Sequence, residues 1–305
     1  MGVLRMGYAH VRVTDLAEAK KHYTYTLGMK VTAEDGNKVY LKGWDEWDHH
    51  SVVIEEGGVG VVKFGFKVEK LEDLARFEKQ GQAFGDCIVE RMSKGDNLEV
   101  GDGVRFTTPG EHVIEVYHDM SSVGNEVGFH NPEAWPRHQE GVAVPAIDHA
   151  LVVCQDPTLS ESFFREVLDF YPTERVQPEL ESKECMATWL SAGQKIHDIA
   201  ILGGPVQGKL HHFAFQLEDW SAVLKAADIF SMDDVSIDIG PTRHGITRGE
   251  TIYFFDPSGN RNEVFAGGYR AYPDRPCVVW TPDQLGKGIF YHDRKLNEAF
   301  TSVWT

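Results

Sequence analysis

With 305 residues, 42% of them hydrophobic, and no low-complexity run, the chain has the material for two domains with their own cores and no composition that argues for disorder. Its formal net charge of -17, with no run of Lys or Arg to offset it, works against nucleic acid or an anionic membrane surface as a partner. No segment approaches the ~20 apolar residues that span a bilayer, and the opening MGVLRMGYAHVRV lacks the apolar core of a secretion signal, so the chain is expected in the cytoplasm.

In chain order, the first element is an extended run, GYAHVRVTD, carrying His10 and leading through Thr14-Asp15 into an amphipathic helix over Leu16 to Thr26. VVKFGFKVEKLEDLARF follows, a strand of alternating polarity, an acidic turn and a helix. VRFTTPGEHVIEVYHD then reads as strand, Pro-Gly turn and strand. After the Pro-punctuated segment around Asn131 to Pro136, ending near Pro145, the same series recurs. AIDHALVVCQD carries His149 and precedes a helix over Leu159 to Val167; LHHFAFQLEDWSAVLKAADIF repeats strand, acidic turn and helix; IYFFDPSGNRNEVFAGG repeats the hairpin. The spacing from Pro109 to Glu115 equals that from Pro257 to Glu263. The halves are copies, which predicts an α+β fold with mixed sheets. The expected divisions are 1–130, a linker over 131–145, a second domain over 146–272 and an extension over 273–305 with a helix from Pro282 to Asn297.

The four cysteines are widely separated and form no C-x-x-C pair, so neither a disulfide framework nor a cysteine zinc site is indicated. The chemistry points elsewhere. Aligning the halves puts His149, His212 and Glu263 on three equivalent strands, and two His with one carboxylate make the facial triad of non-heme Fe(II) oxygenases. His211 and His212 are neighbours, which on a regular strand face opposite ways. His212 shares parity with the small Ala214 and is the expected ligand; His211 shares parity with Phe213 and Phe215 and is expected to be structural or to support the ligand. The same alignment sets His10 against His149, Lys63 against His212 and Glu115 against Glu263. A lysine ammonium has no lone pair to give, and Glu115 is expected to keep it charged, so one metal per chain is predicted.

Taken together, GKLHHFAF, SIDIGPTRHG, TIYFFDPSGNRNEVFAGG and TPDQLGKGIFYHDR make the chain resemble the extradiol catechol 2,3-dioxygenases of the vicinal oxygen chelate superfamily. The resemblance covers nearly the whole chain. It implies four βαβββ modules paired into two barrel-like domains, Fe(II) held by His149, His212 and Glu263 in the second, and a homotetramer. Its acid-base histidine falls in KIHDIA, at His197; TRHG and TIYFF place His244 and Tyr253 around the substrate. The implied reaction is ring cleavage of a catechol by O2 beside its hydroxyls, to a 2-hydroxymuconic semialdehyde. Two other readings use the same scaffold: a glyoxalase-like metal-dependent isomerase or lyase, and a binding protein without catalysis.

Overall fold

The computed structural model describes residues 2–305. The elements run β1 (Val3–Val13), α1 (Leu16–Lys21), β2 (Lys30–Asp35), β3 (Lys38–Lys42), β4 (Val52–Glu56), β5 (Gly60–Val68), α2 (Leu71–Phe84), β6 (Ile88–Met92), β7 (Gly103–Thr107) and β8 (Val113–Tyr117) in the first half. The second half holds β9 (Ile147–Cys154), α3 (Pro157–Leu168), β10 (Tyr171–Val176), β11 (Ala187–Ser191), β12 (Ile199–Gly203), β13 (Lys209–Gln216), α4 (Trp220–Met232), β14 (Ile237–Arg243), β15 (Gly249–Phe255) and β16 (Arg261–Gly267). Each run of strand, helix and three strands is one module, four in all.

Local chemistry accounts for these boundaries. Asp15, Asp156 and Asp219 each cap the helix that follows, accepting from the backbone N–H of Glu18, Leu159 and Ala222. Pro157 opens α3, where a missing N–H costs nothing. Beyond Lys21 the first helix widens into a π turn over His22–Thr26, and its last turn closes on the Leu27 N–H. The turn between β15 and β16 is held by Asp256, whose carboxylate accepts from the N–H groups of Ser258 and Asn260.

Modules pair through their first strands, β1 with β5 and β9 with β13, both antiparallel. The sheets run β2-β3-β4-β1-β5-β8-β7-β6 and β14-β15-β16-β13-β9-β12-β11-β10. Parallel pairings flank each central pair, β4 and β8 in one sheet, β12 and β16 in the other. This topology places eight strands of the second half in one sheet, with β16, β13 and β9 side by side. A single apolar core runs through both halves, joined where Phe163 of α3 meets Phe84 and Phe106 edge-on and Phe170 meets Phe66.

The C-terminal segment departs from expectation. In place of one helix from Pro282 to Asn297 there is a strand, β17 (Val278–Trp280), added to the edge of the second sheet beside β10, then a 3₁₀ turn at Pro282–Gln284, α5 (Leu285–Ile289) and α6 (Glu298–Ser302). Gly286 and Gly288 weaken a continuous helix, and the close approach of Gly286 to the Arg294 carbonyl leaves no room for a side chain. The Val278–Trp280 run of β-formers finds its hydrogen-bond partners in β10.

Candidate metal centre

His149 on β9, His212 on β13 and Glu263 on β16 point into the interior of the second sheet, and all three are buried. His149 Nε2 and His212 Nε2 each stand 3.0 Å from Glu263 Oε2. Among the described residues this is the one group of three or more His, Cys, Asp or Glu whose candidate ligand atoms all lie within 4.8 Å of one another. Two cis ligands each about 2.1 Å from a shared ion lie about 3 Å apart, so the observed spacings fit a divalent cation held on one face. A carboxylate with no exposed surface, as Glu263 is, would otherwise demand a compensating charge.

The surroundings supply that charge and hold the donors in place. Burial favours neutral His149, but Asp148 Oδ2 at 2.6 Å from Nδ1 and Glu263 at Nε2 reverse the balance, and its pKa rises to about 9. Burial likewise opposes ionised Glu263, yet His212 and His149 hold its carboxyl well below the usual range. Burial lowers His212 to about 4, against the pull of Glu263. Thr251 Oγ1 donates to the second Glu263 oxygen. Asp148 is itself fixed by Lys195 Nζ at 3.1 Å.

The other expected site residues gather around the same point. His197, just before β12, has its ring centroid 3.9 Å from that of His149, and its Nδ1 is buried with no hydrogen-bond partner. Burial, with the adjacent His149 charge, pushes its pKa well below the ordinary histidine value expected from sequence, so the ring is neutral. His244 follows β14; its Nε2 is 2.8 Å from the Tyr253 hydroxyl on β15 and its Nδ1 meets the Ile289 carbonyl. Burial, then the nearby Glu263 charge, raises the Tyr253 phenol well above its usual value. These six residues line one narrow cavity of about 40 Å³ with Leu151, Trp189, Phe265, Ile289 and Phe300. A larger, mostly apolar chamber of about 330 Å³ adjoins it, walled by the same Leu151, Trp189, Ile289 and Phe300 with Leu202, Leu285 and Leu296.

Sequence reasoning misses Asp148 and the tail residues Ile289 and Phe300. Asp148 is signalled only by its position beside a strand histidine, which strand alternation places on the far face. The tail is signalled by its apolar residues alone.

His211 does not face away from His212 as strand alternation predicts. The β9–β13 register shifts between Leu210 and His212. This irregularity turns both imidazoles to one side, with the two Nδ1 atoms 2.8 Å apart.

In the first half the alignment is also displaced by two residues at one position. Ala9 opposes Phe64 as Ala150 opposes Phe213, and Gly65 opposes Glu115 as Ala214 opposes Glu263. Arg105 opposes Glu115 as Tyr253 opposes Glu263, and Val52 opposes Ala9 as Ile199 opposes Ala150. The counterparts of His149, His197, His212, Tyr253 and Glu263 are therefore Tyr8, His50, Lys63, Arg105 and Glu115. His10 matches Leu151 and turns instead to Glu55, 2.9 Å away. Tyr8 needs the space that Gly65 leaves: an added Cβ there would lie 2.1 Å from its ring. Buried Glu115 accepts from the Tyr8 hydroxyl, from Lys63 Nζ at 3.1 Å and from Arg105 at 2.6 Å. Lys63 does pair with Glu115, but burial outweighs that carboxylate and lowers the lysine pKa, opposite to the expected direction.

Residues 146–264 match the model of the Glyoxalase/Bleomycin resistance protein/Dioxygenase superfamily, and residues 63–121 match the Catechol 2,3-dioxygenase-like N-terminal domain. A metapyrocatechase of Pseudomonas sp. (strain CF600) is 44% identical over 310 residues, covering 100% of this chain and 99% of that protein. A manganese-dependent 2,3-dihydroxybiphenyl 1,2-dioxygenase of Geobacillus genomosp. 3 is 27% identical, covering 95% of this chain and 94% of its own. The crystal structure of a 2,3-dioxygenase from Pseudomonas sp. KL28 superposes with a TM-score of 0.89 at 45% identity, over 93% of this chain and 99% of that one.

Proposed function

The chain belongs to the extradiol catechol 2,3-dioxygenases of the vicinal oxygen chelate superfamily, and from that membership we propose that it cleaves catechol or a substituted catechol with O2, beside the hydroxyls, to a 2-hydroxymuconic semialdehyde. One observation carries the reading: three buried donors, two imidazole and one carboxylate, with Glu263 3.0 Å from each imidazole nitrogen. No second carboxylate joins the set among the described residues, which favours this reading over a glyoxalase-like isomerase.

We assign His149, His212 and Glu263 as the ligands of Fe(II), the cation that this donor set suits best. When bound, the metal supplies chelation of both catechol oxygens and electron transfer to O2. His197, neutral and with Nδ1 free, accepts a proton from a substrate hydroxyl and returns one to oxygen as the ring opens. The hydrogen-bonded pair of His244 and Tyr253 orients the substrate oxygens. Trp189, Phe265 and Phe300 keep bulk water from the reacting atoms, and the apolar chamber receives the rest of the ring and its substituents. In this reading residues 1–130 form a structural domain and 146–272 the catalytic one, with 131–145 as linker and 273–305 closing the chamber. The family also supports a homotetramer in the cytoplasm; among the described residues no helix is long and apolar enough to cross a membrane.

The test loads the purified chain anaerobically with Fe(II), Mn(II) or Zn(II) and mixes each with catechols in air. Oxygen uptake matched by yellow product, with Fe(II) far ahead of Zn(II), is the expected result. Absence of oxygen uptake on every catechol, with isomerisation of a 2-oxoaldehyde thiol adduct by the Zn(II) form, would replace the proposal by the isomerase reading.

A further inference from the structure

His212 does not stand alone on its strand. Its Nδ1 lies 2.8 Å from His211 Nδ1, and His211 Nε2 lies 2.8 Å from the main-chain carbonyl of Phe300 in α6. A carbonyl oxygen only accepts, so His211 Nε2 carries the hydrogen. The ring is buried, and Arg261 donates to the carbonyl of the same residue, which disfavours a second positive charge beside it. A neutral imidazole has one N–H, so His211 Nδ1 is bare and accepts from His212 Nδ1–H. That leaves the lone pair of His212 Nε2 turned toward Glu263. The chain of contacts therefore settles which His212 nitrogen is available.

We infer that His211 is a positioning residue for His212, fixing its tautomer and ring orientation through a hydrogen bond anchored on the Phe300 carbonyl. The two ligand histidines are then held by unlike devices. His149 leans on a carboxylate, Asp148, within its own strand. His212 leans on a neutral ring tied to the C-terminal segment, whose Phe300 also lines both the metal cavity and the apolar chamber. Partners behind a ligand imidazole raise its basicity and cut the entropy of ligation, and losing one typically weakens metal binding about 10- to 100-fold. The inference rests on the proposed ligand role of His212, and the experiment separates the two.

Affinity for Co(II) is measured by competition with a coloured chelator, and the visible bands of the bound ion are recorded, for wild type, His211→Asn, His211→Gln, His211→Leu and His212→Ala. Asn sets its oxygen where His211 Nδ1 stands and can accept from His212; Gln sets its polar end further out, where Nε2 stands; Leu offers no acceptor. His211→Asn should keep affinity within about threefold and an unchanged spectrum. His211→Gln and His211→Leu should each lose about 10- to 100-fold with shifted bands. Wild-type affinity in His211→Leu would overturn the inference, as would equal losses in the Asn and Gln variants. If the Leu chain fails to fold, the Asn and Gln comparison decides. Undiminished Co(II) binding in His212→Ala would instead remove His212 from the ligand set.

Discussion

The neutral form of His112 ties the halves together, and replacing it has a calculable effect on acid stability. This residue opens the β8 side of the first hairpin, is buried, and donates from Nε2 to the Lys209 carbonyl at the start of β13, 3.0 Å away. Burial depresses its pKa from 6.5 to about 4, against a smaller raising effect of that carbonyl. The folded pKa lies below the unfolded one, so the neutral ring contributes stability that is present above about pH 6.5 and is lost as pH falls through about 4. The full difference is worth about 3 kcal/mol, of which about 2 kcal/mol disappears between pH 7 and pH 5. His112→Gln keeps a donor in the Nε2 position and removes the titration. Denaturant unfolding of both metal-free chains at pH 7 and pH 5 should therefore show wild type losing about 2 kcal/mol more than the variant. Parallel losses would refute the reasoning, since every other buried histidine titrates alike in the two chains.

Three further outcomes follow from the site. Ala at His149, His212 or Glu263 should each strip the metal and abolish turnover, measured by elemental analysis and oxygen uptake; a variant that keeps both would not have lost a ligand. His197→Phe should keep metal and bind catechol but turn over about 10²- to 10⁴-fold more slowly, and wild-type kcat would remove His197 from proton transfer. Reconstituted wild type should hold one metal per chain and Glu263→Ala none, because Tyr8, Lys63 and Arg105 occupy the first-half positions around Glu115; a ratio near two would reveal a site there.

The repeat is legible in sequence because the two halves share their punctuation, an Asp before the first helix of each half and a Pro-Gly turn before the Glu-bearing strand that closes it. The three donors are legible for the same reason: Glu263, His149 and His212 sit at matched places in repeated strands. What escapes is whatever depends on strand irregularity. The bulge before His212 brings His211 to its side, and period-two reasoning cannot see an inserted residue. Irregular pairing also hides the first-half correspondence, where a histidine two residues from Tyr8 invites the wrong match. The direction of the Lys63 shift fails differently, because a charge partner can be read from sequence and depth of burial cannot. The tail misleads because Val278–Trp280 takes its strand form from β10, a partner distant in the chain.

The ammonium beside Glu115 has a consequence for biosynthesis. The first half carries, as a side chain, the cation that pairs with its buried carboxylate. Around Glu263 the compensating charge is instead a proton on His149 or an ion taken from the cell. The first half thus needs nothing from the cell's metal supply, while the donors of the second tighten on metallation. Cells short of metal would accumulate molecules loosened around Glu263, and amide exchange would show it there.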